Sequence, residues 1–409
     1  MSILKQTPFL IFENPKVLRA APYNEDGRVD ILSDRAFEIA KREITSWTGY
    51  RKTPLRDLPG MARALNVGQI FYKDESDRFG LGSFKALGGA YAVLRLLQQA
   101  IERETGKRAN ARDILSSRYR DITARITVTC ATDGNHGRSV AWGARTFGCR
   151  CVIYIHETVS EGRRLAIANY DAEVRRVAGN YDDAVRQADA TAKQSNWLIV
   201  SDTSYEGYTS VPRDVMQGYC VMADEALRQI PSPPTHVFVQ GGVGGLAAAV
   251  CSHLWQTFAD RRPTYVVVEP DQADCLYRSA VAGKPTAVHN IDTIMAGLAC
   301  GEVSLIAWKI LQPGTDAFMT VTDAAAAEAM RVLADSPFGD DPIVAGESAV
   351  AGLAGLALAA ADAAARKRLL LNEESIVLLF GTEGATDPDV YRQIVGRGAD
   401  EVRAIAVVN

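Results

Sequence analysis

Short apolar runs alternate with amphipathic helical patterns along most of the chain. Several runs are rich in β-branched residues and lack a polar alternation, which is typical of strands buried on both faces. We therefore predict strands at residues 70–73, 126–130, 151–155, 174–177, 197–201, 235–240, 265–269 and 375–380. Helical patterns separate these strands, so the predicted fold class is α/β, with parallel-rich, twisted sheets flanked by helices.

Helices that follow strands matter most for function, because they carry the turns at the strand ends. One helix is predicted over residues 83–100 with Ser83 as a possible N-cap, and another from about residue 136. The length of 409 residues is enough for two to three domains. We predict a large, discontinuous domain formed by 1–115 and 209–409, and a small mobile domain formed by 116–208.

Composition and charge exclude several functional classes. The chain is 47% hydrophobic and 23% charged, with a net charge of −4 and no run of Lys or Arg, so no nucleic-acid partner is expected. Its first residues lack an apolar core of signal-peptide length, and no apolar stretch of about 18 residues predicts a membrane span. We expect a cytoplasmic protein that acts on a small molecule and has no membrane partner.

Seven cysteines are scattered along the chain without a CxxC pair. A zinc site is therefore not expected, and we predict no other metal site. Buried free thiols are the default expectation for a cytosolic protein. Cys275 and Cys300 are one candidate pair for a disulfide, a question that the sequence leaves open.

Three unusual turns follow predicted strands, at the sheet edge where α/β proteins bind ligands. In the first, glycines precede Ser83-Phe84-Lys85 at the start of a helix. An isolated lysine there is usually a surface lysine with its charge in water. The functional alternative is a Schiff-base lysine, whose neutral form partial burial and the helix N-terminus would favour by lowering its pKa.

The second turn, Thr132–Gly137, joins a strand that ends at Cys130 to the following helix. Asp133 and Asn135 would project at the ligand edge of the sheet. The structural alternative is that either side chain merely caps the helix. The turn alone does not decide between the two interpretations.

The third turn, Gly241–Gly245, contains four glycines between a strand and an apolar helix. Backbone N–H groups in such a turn bind phosphate, because they point along the positive end of the helix dipole. Gly242–Ala247 also fits a dinucleotide-binding fingerprint, with Glu269 at a later strand end as a candidate ribose ligand. Glycine-rich turns serve many phosphates, so both ligands remain possible.

Together these segments resemble the fold-type II pyridoxal-phosphate enzymes, the family of threonine dehydratase, serine racemase and tryptophan synthase β. Ser83-Phe84-Lys85, Gly134–Gly137 and Gly241–Gly245 correspond to its lysine motif, its G-N-H-G turn and its phosphate-binding turn, in the family's order. The resemblance implies pyridoxal 5′-phosphate as cofactor, held mainly by the large domain, and suggests a homodimer.

Within that family the chain is similar to the diaminopropionate ammonia-lyases over roughly residues 20–400. Lys85 continues as Ala-Leu-Gly-Gly, where dehydratases usually have Arg-Gly, and Asp133 stands where dehydratases usually have Ser. Further similar segments are residues 201–219, 268–279, 293–302, 344–350 and 381–388. The implied reaction is elimination of ammonia from D- or L-2,3-diaminopropionate to give pyruvate and two ammonia.

The resemblance also implies roles for individual residues. Lys85 would hold the cofactor and serve the L-enantiomer, and Asp133 would serve the D-enantiomer. The charge of Asp202 makes it the third expected catalytic residue, which would also bind the second amine of the substrate. Thr382 would face the pyridine nitrogen, and Asn135 the 3′-oxygen. The remaining expected cofactor contacts are Phe84, Gly241, Gly242, Val243, Gly244, Gly245 and Glu347, and the remaining expected substrate contacts are Ser83 and Thr132.

Other interpretations remain open on the sequence. The nearest is a pyridoxal-phosphate-dependent dehydratase or racemase acting on serine or threonine, which Asp133 disfavours. A nicotinamide-dependent oxidoreductase built on Gly242–Ala247 leaves Lys85 unexplained. A non-catalytic amino-acid sensor is disfavoured by the intact motifs. Asp202 could instead be a helix cap, and His136 is expected to orient its turn without taking a chemical step.

Overall fold

The protein was analysed as a computed structural model that describes residues 3–5 and 7–408. Within these residues the strands, in chain order, are β1 (Phe9–Glu13), β2 (Leu55–Asp57), β3 (Gln69–Asp74), β4 (Thr127–Ala131), β5 (Arg150–His156), β6 (Glu173–Val177), β7 (Leu198–Ile199), β8 (His236–Gln240), β9 (Thr264–Pro270), β10 (Ala317–Val321) and β11 (Ile376–Gly381). The helices are α1 (Arg28–Ile31), α2 (Asp34–Thr45), α3 (Pro59–Leu65), α4 (Ala86–Thr105), α5 (Ala111–Leu115), α6 (Arg120–Thr123), α7 (Asn135–Phe147), α8 (Glu161–Ala168), α9 (Tyr181–Ser195), α10 (Ser210–Gln229), α11 (Gly245–Phe258), α12 (Cys275–Ala282), α13 (Leu305–Gly314), α14 (Asp323–Asp335), α15 (Ala351–Ala361), α16 (Ala363–Leu369), α17 (Pro388–Val395) and α18 (Ala399–Val408).

The chain divides into two compact units. The first comprises Met1–Ile31, Lys52–Asp77 and Met222–Asn409, and the second comprises Leu32–Arg51 and Arg78–Val221. No helix among the described residues is long and apolar enough to cross a membrane.

The first unit contains a seven-stranded sheet in the order β1-β10-β9-β8-β11-β3-β2. The five inner strands are parallel, and β1 and β2 pair antiparallel at the two edges. Val237, Phe238 and Val239 of β8 are each 0% exposed, as expected for a strand covered on both faces. The carboxyl ends of the inner strands share one edge, so the turns that follow β8 and β11 lie on the same side of this sheet.

The second unit contains a four-stranded, entirely parallel sheet in the order β6-β5-β4-β7. Helices α4 and α7 pack closely because small residues meet at their contact. A Cβ atom on Gly143 of α7 would lie 2.7 Å from Ala90 Cα of α4. This close packing groups α4 with the second unit, which begins earlier in the chain than the predicted small domain 116–208. Movement of 116–208 as a domain stays a prediction.

The predicted α/β class with parallel-rich sheets is confirmed. Edge strands β1 and β2 and the inner strand β10 were not predicted, and the strand predicted at 197–201 is limited to β7. Helix α4 begins at Ala86, and Lys85 occupies its N-cap position. The prediction of Ser83 as the cap was therefore wrong. The first backbone hydrogen bonds of the helix are accepted by the carbonyl groups of Phe84 and Lys85.

A lysine is fully buried near the end of β3. Lys73 Nζ lies 2.7 Å from Glu225 Oε2, and the two side chains are 0% and 2% exposed. The same nitrogen donates hydrogen bonds of 2.8 Å to the carbonyl of Thr53 and to Gln229 Oε1. The positive charge of Lys73 and the negative charge of Glu225 therefore neutralise each other inside the protein. Removing one partner would leave the other buried without this counter-charge.

We expect Lys73→Met to lower the free energy of unfolding by about 3–5 kcal/mol, because Glu225 loses its buried counter-charge. Urea denaturation followed by circular dichroism measures this loss. Glu102→Gln is the control, since it removes an ion pair to Arg108 whose side chains are 47% and 88% exposed, and it should stay close to wild type. Equal midpoints for the two variants would contradict a stabilising role for the buried pair.

Candidate active site

Lys85 and Asp202 form an ion pair in the second unit. Lys85 lies immediately before α4, and Asp202 lies in the segment that follows β7. Lys85 Nζ is 2.8 Å from Asp202 Oδ2, and the side chains are 19% and 17% exposed. Asp202 precedes the start of α10 at Ser210 by several residues, so it does not cap that helix.

The surroundings of Asp202 keep it ionised. Burial alone would raise its pKa, but the Lys85 ammonium, His136 and the hydrogen bond from Lys85 together place the pKa well below its usual value. His136 Nδ1 is 3.7 Å from Asp202 Oδ2. Burial lowers the pKa of His136, and its Nε2–H donates to the carbonyl of Val200 at 2.7 Å. His136 thus ties the start of α7 to the end of the β7 segment.

Two aromatic rings flank the Lys85 amine. Nζ lies 5.5 Å from the ring centre of Phe84 and 5.8 Å from that of Tyr219, and the two rings are 4.6 Å apart. Tyr219 reaches this position because Gly88 has no side chain, since a Cβ atom there would overlap the tyrosine ring. A glycine at position 88 is therefore required for this packing of Tyr219.

The turn between β4 and α7 is held together by Thr132. Its Oγ1 accepts hydrogen bonds of 3.0 Å from the amides of Gly134 and Gly137, and a Cβ atom on Gly137 would overlap the threonine side chain. Gly134 occupies the N-cap position of α7, with no side-chain cap. The capping interpretation of Asp133 and Asn135 is therefore wrong. Asn135 is the first residue of α7.

Asp133 is held by a residue that the sequence did not single out. His156 Nε2–H donates to Asp133 Oδ1 at 2.7 Å, and the two side chains are 16% and 31% exposed. His156 ends β5, the neighbour of β4, so the contact follows from the pairing of these strands. The carboxylate keeps access to solvent at the carboxyl edge of the sheet.

The glycine-rich turn of the first unit joins β8 to α11. Gly244 has φ +95°, a conformation that favours glycine, and no side chain caps α11 behind it. A Cβ atom on Gly241 would lie 2.7 Å from Glu269 Cγ. The turn therefore requires glycine, and it presents the N-terminus of a 14-residue helix without a competing side chain.

Thr382 follows β11 directly and is 4% exposed. Its Oγ1 accepts a 3.0 Å hydrogen bond from Gln240 Nε2, which also donates to the carbonyls of Ala349 and Phe380. Gln240 was not predicted as part of the site. Glu347 lies in the segment before α15 and is 2% exposed.

Glu269 does not act as the predicted ribose ligand of a nicotinamide enzyme would. It is fully buried, and its carboxylate accepts hydrogen bonds from the amides of Leu276 and Tyr277 at 3.0 and 2.7 Å. Burial raises its pKa to about 8. Both oxygens are thus occupied at the start of α12. Cys275 and Cys300, the candidate disulfide pair, carry free thiols.

Comparison with known proteins identifies the family. Residues 47–380 match the family model described as pyridoxal-phosphate dependent enzyme. The chain belongs to this family. The cofactor of this pyridoxal-phosphate dependent enzyme is therefore pyridoxal 5′-phosphate, which confirms the prediction made from the family resemblance.

The similarity to diaminopropionate ammonia-lyases extends over almost the whole length of this pyridoxal-phosphate dependent enzyme. The enzyme of that name from Escherichia coli strain K12 is 40% identical over 91% of this chain and 94% of its own. The one from Salmonella typhimurium is 40% identical over 85% and 89%, respectively. The crystal structure of the holo Escherichia coli enzyme matches with a TM-score of 0.87 and 37% identity, covering 96% of this chain and 97% of that chain.

The residues of this pyridoxal-phosphate dependent enzyme fit the cofactor. The Gly241–Gly245 turn offers backbone amides to a phosphate, and the nearest atom to a Cβ on Gly242 would be Cys300 Sγ at 3.5 Å, an ordinary contact. Lys85 offers a partly exposed amine, and Thr382 a neutral hydroxyl fixed by Gln240. In the second unit the fold brings Lys85 to Asp202 and Asp133 to His156. The glycine turn and Thr382 lie in the first unit.

Proposed function

We propose that this enzyme eliminates ammonia from 2,3-diaminopropionate, consuming water and producing pyruvate and two ammonia. The extended similarity to enzymes named diaminopropionate ammonia-lyase supports this proposal. When bound, the cofactor supplies the electron withdrawal that makes the α-proton of an amino acid removable. The chain itself must hold the cofactor, bind the diamino substrate and move protons.

The ion pair between Lys85 and Asp202 is the observation that carries the proposal. Asp202 is a partly buried carboxylate held ionised by an ammonium at 2.8 Å. To act as a base, Lys85 must be a neutral amine, and in that form it no longer balances the charge of Asp202. A buried carboxylate without a counter-charge is costly, so the second ammonium of diaminopropionate would be favoured in its place. The neutral hydroxyl of serine or threonine would leave the charge unbalanced.

We assign the proton transfers to two residues. Lys85 removes the α-proton of the L-enantiomer, and Asp133 removes that of the D-enantiomer from the opposite side. Thr132 Oγ1 already accepts hydrogen bonds from two backbone amides. Its hydroxyl hydrogen can therefore be donated to the carboxylate of the substrate. Ser83 is the other proposed substrate contact. The cofactor would be held by Lys85, Phe84, Asn135, Gly241, Gly242, Val243, Gly244, Gly245, Glu347 and Thr382.

Turnover of holoenzyme on diaminopropionate and on serine tests the proposal. We expect kcat/KM for diaminopropionate to exceed that for serine of the same configuration by at least about 100-fold. Only diaminopropionate carries a second ammonium that can pair with the Asp202 carboxylate. Pyruvate formation from the D- and L-enantiomers of diaminopropionate and of serine measures the ratio. Equal or greater turnover of serine would instead support a dehydratase, and interconversion of serine enantiomers a racemase.

We also propose that the enzyme works as a homodimer in the cytoplasm. The family resemblance supports the homodimer. The free thiols of all seven cysteines support a reducing compartment. Light scattering coupled to size-exclusion chromatography would give a mass near twice 44.3 kDa for the dimer, and a mass near 44.3 kDa would refute it.

A further inference from the structure

His156 lies where two parallel strands end side by side. It is the last residue of β5, and Asp133 follows β4, whose Ala131 pairs with Tyr154. Strand pairing therefore sets the separation of the imidazole and the carboxylate. Nε2 and Oδ1 are 2.7 Å apart, a short hydrogen bond of the charge-assisted kind.

The second ring nitrogen of His156 also has a partner. Thr158 Oγ1 lies 2.9 Å from Nδ1. In a neutral imidazole that donates through Nε2, Nδ1 carries the lone pair, so the threonine hydroxyl donates to it. The carboxylate of Asp133 can only accept, so it requires Nε2–H, and the exposed hydroxyl of Thr158 satisfies the other ring nitrogen. The three side chains form an ordered chain of hydrogen bonds from the surface to the carboxylate.

The backbone that carries His156 and Thr158 is fixed as well. Arg176 on β6 donates to the carbonyls of His156, Glu157 and Val159 at 3.4, 2.9 and 2.7 Å. This clamp spans the same short segment that holds both side chains. The imidazole is thus supported by rigid elements, which is what accurate placement of a reactive group requires.

We infer that His156 is a positioning residue for Asp133 and so determines turnover of the D-enantiomer; this inference rests on the proposed function. The Nε2–H bond occupies Oδ1 and turns Oδ2 towards the substrate. The α C–H bond breaks with its electron pair left on the substrate carbon, and the proton forms a new O–H bond at Oδ2. Lys85, the base assigned to the L-enantiomer, is paired with Asp202 at 2.8 Å, so turnover of the L-enantiomer is assigned to a different carboxylate pair and should not depend on His156.

The test compares His156→Leu with His156→Gln in the holoenzyme. We expect His156→Leu to lower the D-to-L ratio of kcat by between about 10- and 100-fold, because a carboxylate free to rotate is misplaced for proton abstraction. KM for the D-enantiomer should change little. The side-chain amide of His156→Gln can still donate to Asp133, so this variant should recover most of the ratio. His289→Leu, an exposed histidine of the first unit, should leave the ratio at the wild-type value.

The outcomes separate this inference from the function on which it rests. Wild-type enzyme inactive on both enantiomers of diaminopropionate would overturn the proposed function. Active wild-type enzyme combined with an unchanged ratio in His156→Leu would overturn the positioning role alone. Equal losses on both enantiomers, or a His156→Gln variant as impaired as His156→Leu, would also count against it, because they indicate a structural effect only.

Discussion

Lys85→Ala is expected to abolish both turnover and the yellow colour of the purified enzyme. The proposed Schiff base between the cofactor and Lys85 requires a primary amine, which alanine lacks. A well-placed proton-transfer group alone is worth about 10²–10⁴-fold, and Lys85 is also the proposed anchor of the cofactor, so the loss on the L-enantiomer should reach at least about 10⁴-fold. Pyruvate formation and the visible absorbance spectrum measure the two effects.

Lys85→Arg separates chemistry from folding. Its guanidinium can still pair with Asp202, which is 17% exposed and would otherwise lose its counter-charge, yet it cannot form the imine. We expect Lys85→Arg to be colourless and inactive while its thermal midpoint stays close to wild type. Lys107→Ala, an exposed lysine in the same unit, is the control and should stay yellow and active. A yellow, active Lys85→Arg variant would show that another lysine holds the cofactor.

Much of the fold follows from the sequence, because strand burial leaves a local pattern. β8 is apolar on both faces, and this run predicts a central parallel strand without reference to the rest of the chain. β1 is different, because none of its five residues is buried, which reflects its edge position beside β10. Such an assignment depends on pairing with residues about 300 positions away, which no local window contains.

The candidate active site also depends on contacts that no local stretch of sequence contains. Residue type and position at strand ends identified Lys85, Asp133 and the glycine turn, since each carries a chemical or backbone requirement of its own. Their partners are distant in sequence, as Asp202 is 117 residues from Lys85 and Gln240 is 142 residues from Thr382. These contacts arise from sheet register and helix packing. The sequence offered candidate reactive groups, and the structure shows which side chains each of them contacts.

Glu269 illustrates how a correct strand assignment can carry a wrong chemical interpretation. Its place at the end of a strand suggested a ribose ligand, and the strand itself is present as β9. The carboxyl group is instead directed at two amides of α12 and is protonated more readily than usual, with a pKa of about 8. The direction of a side chain beyond a strand end depends on the loop that follows it.

Asp133→Asn is expected to remove activity on the D-enantiomer far more than activity on the L-enantiomer. An amide oxygen cannot take up a proton at neutral pH, so the proposed base for the D-enantiomer is lost. The expected decrease in kcat for D-diaminopropionate is about 10²–10⁴-fold, the usual worth of a positioned general base. The same shape and one hydrogen-bond acceptor remain for His156 Nε2–H, so the turn should keep its geometry.

The L-enantiomer serves as the internal control, because its proposed base is Lys85 and no part of that step requires Asp133 to be ionised. Steady-state assays on both enantiomers with one preparation of Asp133→Asn give the ratio directly. Asp171→Asn is the matched variant, since Asp171 is an exposed residue of the same unit with φ 60°, a conformation that asparagine adopts readily. Equal losses on the two enantiomers would refute the division of labour, because they would place Asp133 in a role common to both reactions, such as binding the substrate.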